Sequence, residues 1–129
     1  MRFGLILTAI CAICFTVSAS AHHSHGLYEE TFRDVQGVVT ELYLLTPHSW
    51  VYIEVKDQKG GEPTIWALEA TGPNGIFRNG VTKEDVKVGD TIQARCHLLR
   101  DGSPGCLLGF VTPRHGDKAR GDGVEHQWD

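Results

Sequence analysis

The sequence predicts an all-β domain, a small five-stranded barrel with a short helical connection. Three observations carry this reading: three β-rich runs separated by turns, a break bounded by Pro and Gly, and two further alternating runs. The first run, "QGVVTELYLL" at residues 36–45, is dense in β-formers. The second, at residues 50–55, alternates cleanly and places Val51, Ile53 and Val55 on one face, the expected core side. A "DQKGG" turn at residues 57–61 leads into "TIWALEA" from Thr64, which directs Trp66 and Leu68 inward. In "TGPNGIFRNG", Pro73 is suited to open a short helix and Gly80 to close it. Thr82-Lys83-Glu84-Asp85 follows with capping-box spacing for one more turn. After "VGD", Ile92, Ala94, Cys96 and Leu98 alternate against Thr91, Gln93, Arg95 and His97, and "RDGSPG" turns the chain into "CLLGFV". This order is that of an OB-fold, a five-stranded, partly open Greek-key barrel. The rival, a β-sandwich, needs about seven short strands, more than the runs supply.

The amino end has the layout of a secretory signal peptide. Arg2 precedes an apolar run at residues 4–17, and Ala19-Ser20-Ala21 forms an A-x-A cleavage site. The run is shorter than the roughly 20 residues that span a bilayer, so no stable membrane anchor is expected after cleavage. The expected location is the periplasm or the exterior. Cys11 and Cys14 would leave with the leader, which voids their C-x-x-C spacing as a redox or metal motif. The expected organisation is a signal peptide at residues 1–21, a His-rich segment at 22–33, the barrel at 34–113 and a flexible, charged, Gly-rich tail at 114–129. The tail contains Arg120-Gly121-Asp122, a three-residue cell-attachment match read as coincidence.

Loss of Arg2 takes the chain from 12 basic residues to 11, against 16 acidic ones. Binding to a phosphate backbone depends on clustered Lys and Arg, and no basic cluster is present, so nucleic acid is not an expected partner. Cys96 and Cys106 are the cysteines that remain. A hairpin centred near Asp101 would set them directly opposite each other, and an exported location permits a disulfide between them. The alternative, a thiolate metal site with His97, is disfavoured because His97 points away from Cys96 on a regular strand.

"TPHSWVYIEV" at residues 46–55 places Pro47 at a turn and His48 on the same strand face as Trp50 and Tyr52, opposite the core. The plain reading is a histidine bonded to local backbone and aromatics that cover a barrel end. The functional reading is a ligand-binding surface, since OB-folds commonly bind through this face.

Several of these stretches carry a resemblance. "AHHSHGLYEE", "QGVVTELYLLTPHSWVYIEV", "WALEA", "KVGDTIQARCHLLRDGSPG" and the late "GF" resemble DUF6152, a family of small exported bacterial proteins of unknown function. The family pattern runs from an AHHS start through a V-x-G-x-V strand and an N-P-H-x-W segment to a GD strand and a late R-D-G turn. Here Thr46 replaces the usual Asn before Pro-His. The resemblance implies export and a single domain, and no substrate or reaction.

Three function classes then compete. The first is metal binding. Cleavage would make His22 the first residue, able to chelate through its amine and its imidazole, with His23, His25 or His48 closing the site. Imidazole nitrogens suit copper and zinc. Met1 is the sole methionine and lies in the leader, which argues against a soft Cu(I) site and leaves Cu(II), with zinc or nickel as alternatives. Ser24 occupies the third mature position, where the amino-terminal copper-and-nickel motif requires histidine. The second class is a metal-free module that binds a small molecule or another exported protein through Trp50 and Tyr52. The third is an enzyme, disfavoured because no nucleophile, base and orienting group can be assembled; a copper oxidase built on a histidine brace is its one surviving form.

Overall fold

A computed structural model of the protein describes residues 25–129; the expected leader and His22, His23 and Ser24 lie outside the described residues. A short 3-10 turn, His25–Leu27, leads into strand β1, Tyr28–Tyr43. Strands β2, His48–Val55, and β3, Thr64–Thr71, follow as a meander. Helix α1, Pro73–Arg78, connects to β4, Thr91–Leu99, and β5, Gly105–Pro113, and a two-residue strand β6, His126–Gln127, lies on the outer edge of β5. The sheet order is β3-β2-β1-β4-β5-β6, and a parallel pairing of β3 with β5 closes strands β1 to β5 into a ring. This is the expected OB-fold barrel.

Strand β1 serves two partners. Its first part pairs with β4 and its second with β2, and Val38 is in register with both Thr91 and Glu54. At the crossing stands Gly37, where a Cβ would lie 2.5 Å from the Glu54 carbonyl oxygen, so only glycine admits this approach. The strand therefore starts eight residues before the expected Gln36, and the barrel starts before the expected boundary at residue 34. The reason is that residues 28–34 show no buried alternating face; backbone pairing to β4 holds them in the sheet rather than core burial.

The core forms as alternation dictates. Val51, Ile53 and Leu68 are buried from β2 and β3, Ile92, Ala94 and Cys96 from β4, and Leu108 and Val111 from β5. Trp66 and Val55 pack at the margin of this cluster. Pro73 occupies the first turn of α1, and Gly80, at φ +91°, takes the left-handed conformation that ends it. Ile76 carries the helix onto the core and is fully buried. The Thr82–Asp85 box closes a single turn, with the Thr82 hydroxyl at 2.8 Å from one Asp85 carboxylate oxygen and the Thr82 amide donating to the other at 3.1 Å.

The disulfide forms between Cys96 and Cys106, with Cα atoms 5.8 Å apart. The expected register is corrected: Cys96 lies opposite Leu108 and Cys106 opposite Leu98, so the bridge is diagonal. The turn around Gly102, at φ +80°, centres the hairpin one residue later than Asp101, and a bulge between Arg95 and Cys96 shifts the pairs beyond the bridge once more.

Residues after Arg114 are also corrected, from a flexible tail to a packed strap. Trp128 is 2% exposed; its amide donates to the Gly109 carbonyl and its carbonyl accepts from the Thr71 amide, tying it to both β5 and β3. One large apolar residue in an otherwise charged stretch suffices, because an indole buries more surface than several aliphatic groups. Polar contacts hold the intervening chain. Arg120 forms an ion pair with Asp90, and the His115 ring lies between the Asp85 carbonyl and the Asp117 amide. Burial raises the Asp90 carboxyl, yet hydrogen bonds from Arg120 and the Lys87 amide outweigh it and hold the group below the usual carboxylate range. Arg120-Gly121-Asp122 is engaged inside this strap, since Asp122 accepts from the Gly116 amide and from Lys118.

Two outcomes test this architecture. Trp128→Ala should cost about 3–5 kcal/mol of stability in chemical denaturation, the range for truncating a buried aromatic; a loss within about 0.5 kcal/mol, as at exposed sites, would contradict the packed strap. Thiol alkylation of unfolded, unreduced mature protein should label neither Cys96 nor Cys106, and the bridge should contribute about 2–4 kcal/mol when removed by paired alanine substitution.

Candidate functional site

Alternation in β2 buries Ser49, Val51 and Ile53 and turns His48, Trp50 and Tyr52 to the outer face, all three partly exposed. The neighbouring strands complete that face. Trp50 lies between Tyr43 on β1 and Glu69 on β3, and Tyr52 lies between Glu41 and Ala67. Tyr43 and Tyr52 meet edge to face, with ring centroids 6.1 Å apart. The predicted surface is therefore assembled, as an aromatic strip edged by carboxylates.

One end of the strip holds a polar chain. The His48 Nδ1 lies 3.2 Å from one carboxylate oxygen of Glu69, and the Tyr28 hydroxyl donates to the other at 2.8 Å. Burial, the hydrogen bond to Glu69 and the Glu69 charge all raise the Tyr28 phenol above its ordinary value, so it stays a donor. Glu69 and His48 are largely shielded, with side chains 16% and 23% exposed. The Glu69 carboxylate thus backs the His48 ring from its Nδ1 side. This is the arrangement that commonly orients a metal-ligating histidine.

The entry of the chain is pinned beside this group. The Arg100 amide donates to the Leu27 carbonyl at 2.9 Å, and its guanidinium donates to the Tyr28 carbonyl at 2.7 Å. His25 begins the 3-10 turn immediately before Tyr28. Tyr28 follows His22 by six positions, a length that spans at most about 20 Å when extended. Among the described residues no group of three or more His, Cys, Asp and Glu side chains is arranged to hold a metal.

Glu69 and Tyr28 were not among the sequence-derived candidates. Glu69 carried a faint signal, the single charge on the outward side of "TIWALEA". Tyr28 carried none, because its approach to Glu69 depends on the ring closure. His97, set aside as a thiolate-site partner, lies on the outer face with its ring stacked on Phe32 at 4.1 Å, away from the buried disulfide.

No helix among the described residues is long and apolar enough to cross a membrane. In fold the chain is similar to the mitochondrial single-stranded DNA-binding protein Rim1 from S. cerevisiae, with a TM-score of 0.51 and 10% identity over 67% of this chain and 96% of that one. At that identity the likeness shows the barrel and nothing more. No curated protein matches the chain. Over residues 10–108 the sequence matches the family of unknown function DUF6152, and the chain belongs to that family.

Proposed function

We propose that the protein is exported, is cleaved after Ala21, and binds Cu(II) through His48 and its new amino terminus. The observation that carries this reading is the Glu69 carboxylate on His48 Nδ1, itself held by Tyr28, within a short span of a histidine-rich start. His22 supplies its amine and imidazole nitrogen, His48 supplies Nε2, and His23 or His25 offers a further imidazole. Copper tops the divalent affinity order and accepts a tetragonal nitrogen set; zinc and nickel follow. When bound, Cu(II) would supply a Lewis-acid or redox centre, while the protein's own part is to orient His48 through Glu69.

A second reading follows from the aromatic strip. Half-buried Trp50 beside Tyr43 and Tyr52 offers a stacking surface for a small molecule or a peptide of another exported protein. The flanking Glu41, Glu54 and Glu69 oppose phosphate-rich partners. Under this reading Trp50→Ala abolishes pull-down of an exported partner that Lys118→Ala retains.

Copper titration followed by electron paramagnetic resonance distinguishes the readings. The mature chain starting at His22 should bind one Cu(II) with a nitrogen-rich spectrum, and one extra residue before His22 should weaken binding and change the spectrum. His48→Ala should do the same, and Glu69→Gln should weaken binding by about 10–100-fold, the usual effect of removing a carboxylate that orients a ligand. Affinity should fall as pH drops through the ordinary histidine range, because each imidazole must shed its proton to coordinate. Unchanged affinity in both the extended form and His48→Ala would overturn the copper reading.

A further inference from the structure

At the end of the barrel opposed to no strand, α1, residues 81–88 and the final part of β1 enclose a cavity of about 430 Å³. That size lies within the roughly 300–1,000 Å³ of small-molecule sites. Its deep surface is apolar: Ile76, Val86 and Trp128 are each almost fully buried, and Leu42 and Leu44 line the β1 side. Val88 lines it as well and is 62% exposed, a large apolar side chain facing water at the margin. Lys83 and Lys87 are the charged residues of the lining, and no carboxylate belongs to it. Lys87 is held to Glu84 at 2.6 Å, an exposed pair of the kind that exchanges readily with another anion. The protein as a whole is net acidic, so two cations at the margin of an apolar hollow form a local reversal of its charge.

We propose that this cavity binds a free single-chain amphiphile with an anionic head, a medium-chain carboxylate. The hydrocarbon tail lies against Ile76, Val86 and Trp128, and the carboxylate meets Lys83 and Lys87. The chemistry follows from the lining: an uncharged hydrocarbon would leave the lysines unused, and a polar anion without a tail would leave the apolar walls wet. The site lies on different residues from the His48 face, so it stands or falls independently of copper binding.

Isothermal titration of the mature chain with octanoate, decanoate and dodecanoate, each below its micelle concentration, tests the proposal. Affinity should rise by roughly tenfold per two added methylenes until the hollow is filled. Dodecanol, which has the tail without the charge, should bind about fivefold more weakly than dodecanoate at low ionic strength. The double variant Lys83→Gln/Lys87→Gln should erase that difference. Val88→Asp should weaken dodecanoate at least tenfold, and thermal melting should show it folded, since Val88 is exposed. Absence of saturable heat, equal affinity for dodecanol and dodecanoate, or an unaffected Val88→Asp would overturn the proposal. A dimer in sedimentation that Val88→Asp dissolves, without dodecanoate binding, would assign the hollow to a second copy and overturn it likewise, as would binding to anionic vesicles alone.

Discussion

The close crossing of β1 over β2 at Gly37 is the constraint from which the rest of the barrel follows. A strand that pairs with β4 along its first part and β2 along its second must bend where the two sheets meet, and there the Glu54 carbonyl occupies the space a side chain would need. Without that crossing the sheet would stay open and present edges that invite association with other chains. With it, β3 and β5 come together in parallel, and the ring closes over a core built from one face of every strand.

Closure also decides which outer residues become neighbours. Glu69 on β3 pairs across to Leu107 on β5, Leu107 to His97 on β4, and His97 to Phe32 on β1. The same circuit returns the start of β1 to the side of the barrel that carries His48. Tyr28 reaches Glu69 although the two lie 41 positions apart in the sequence. The site is thus a product of topology rather than of any local motif.

The parts legible in the sequence were those in which burial imposes a period. Val51 and Ile53, or Ile92, Ala94 and Cys96, announce their strands because every second side chain leaves water. Pro73 and Gly80 likewise announce α1 through backbone chemistry alone. His48, Trp50 and Tyr52 were placed on one face by the same alternation. The first part of β1 was illegible since its residues are exposed on both faces and its order comes from hydrogen bonds to a distant strand. Composition hid the strap after Arg114 for a different reason: thirteen polar or small residues outweigh one tryptophan in any average, although that tryptophan fixes the segment. The register of the disulfide hairpin escaped because a turn centred one residue later than Asp101 moves every pair that follows it.

Trp128 lies outside the five strands of the ring, yet it is part of the barrel's interior. Polypeptides are made from the amino end, so the last piece of this interior is also the last to be synthesised. Strand β1 waits for β4, some sixty positions later, and the hydrogen bonds at Thr71 and Gly109 wait for Trp128. Such dependence on distant partners makes for slow, all-or-none folding. A fragment that stops short of Trp128 therefore lacks both the buried indole and the two hydrogen bonds that tie β3 and β5 to it.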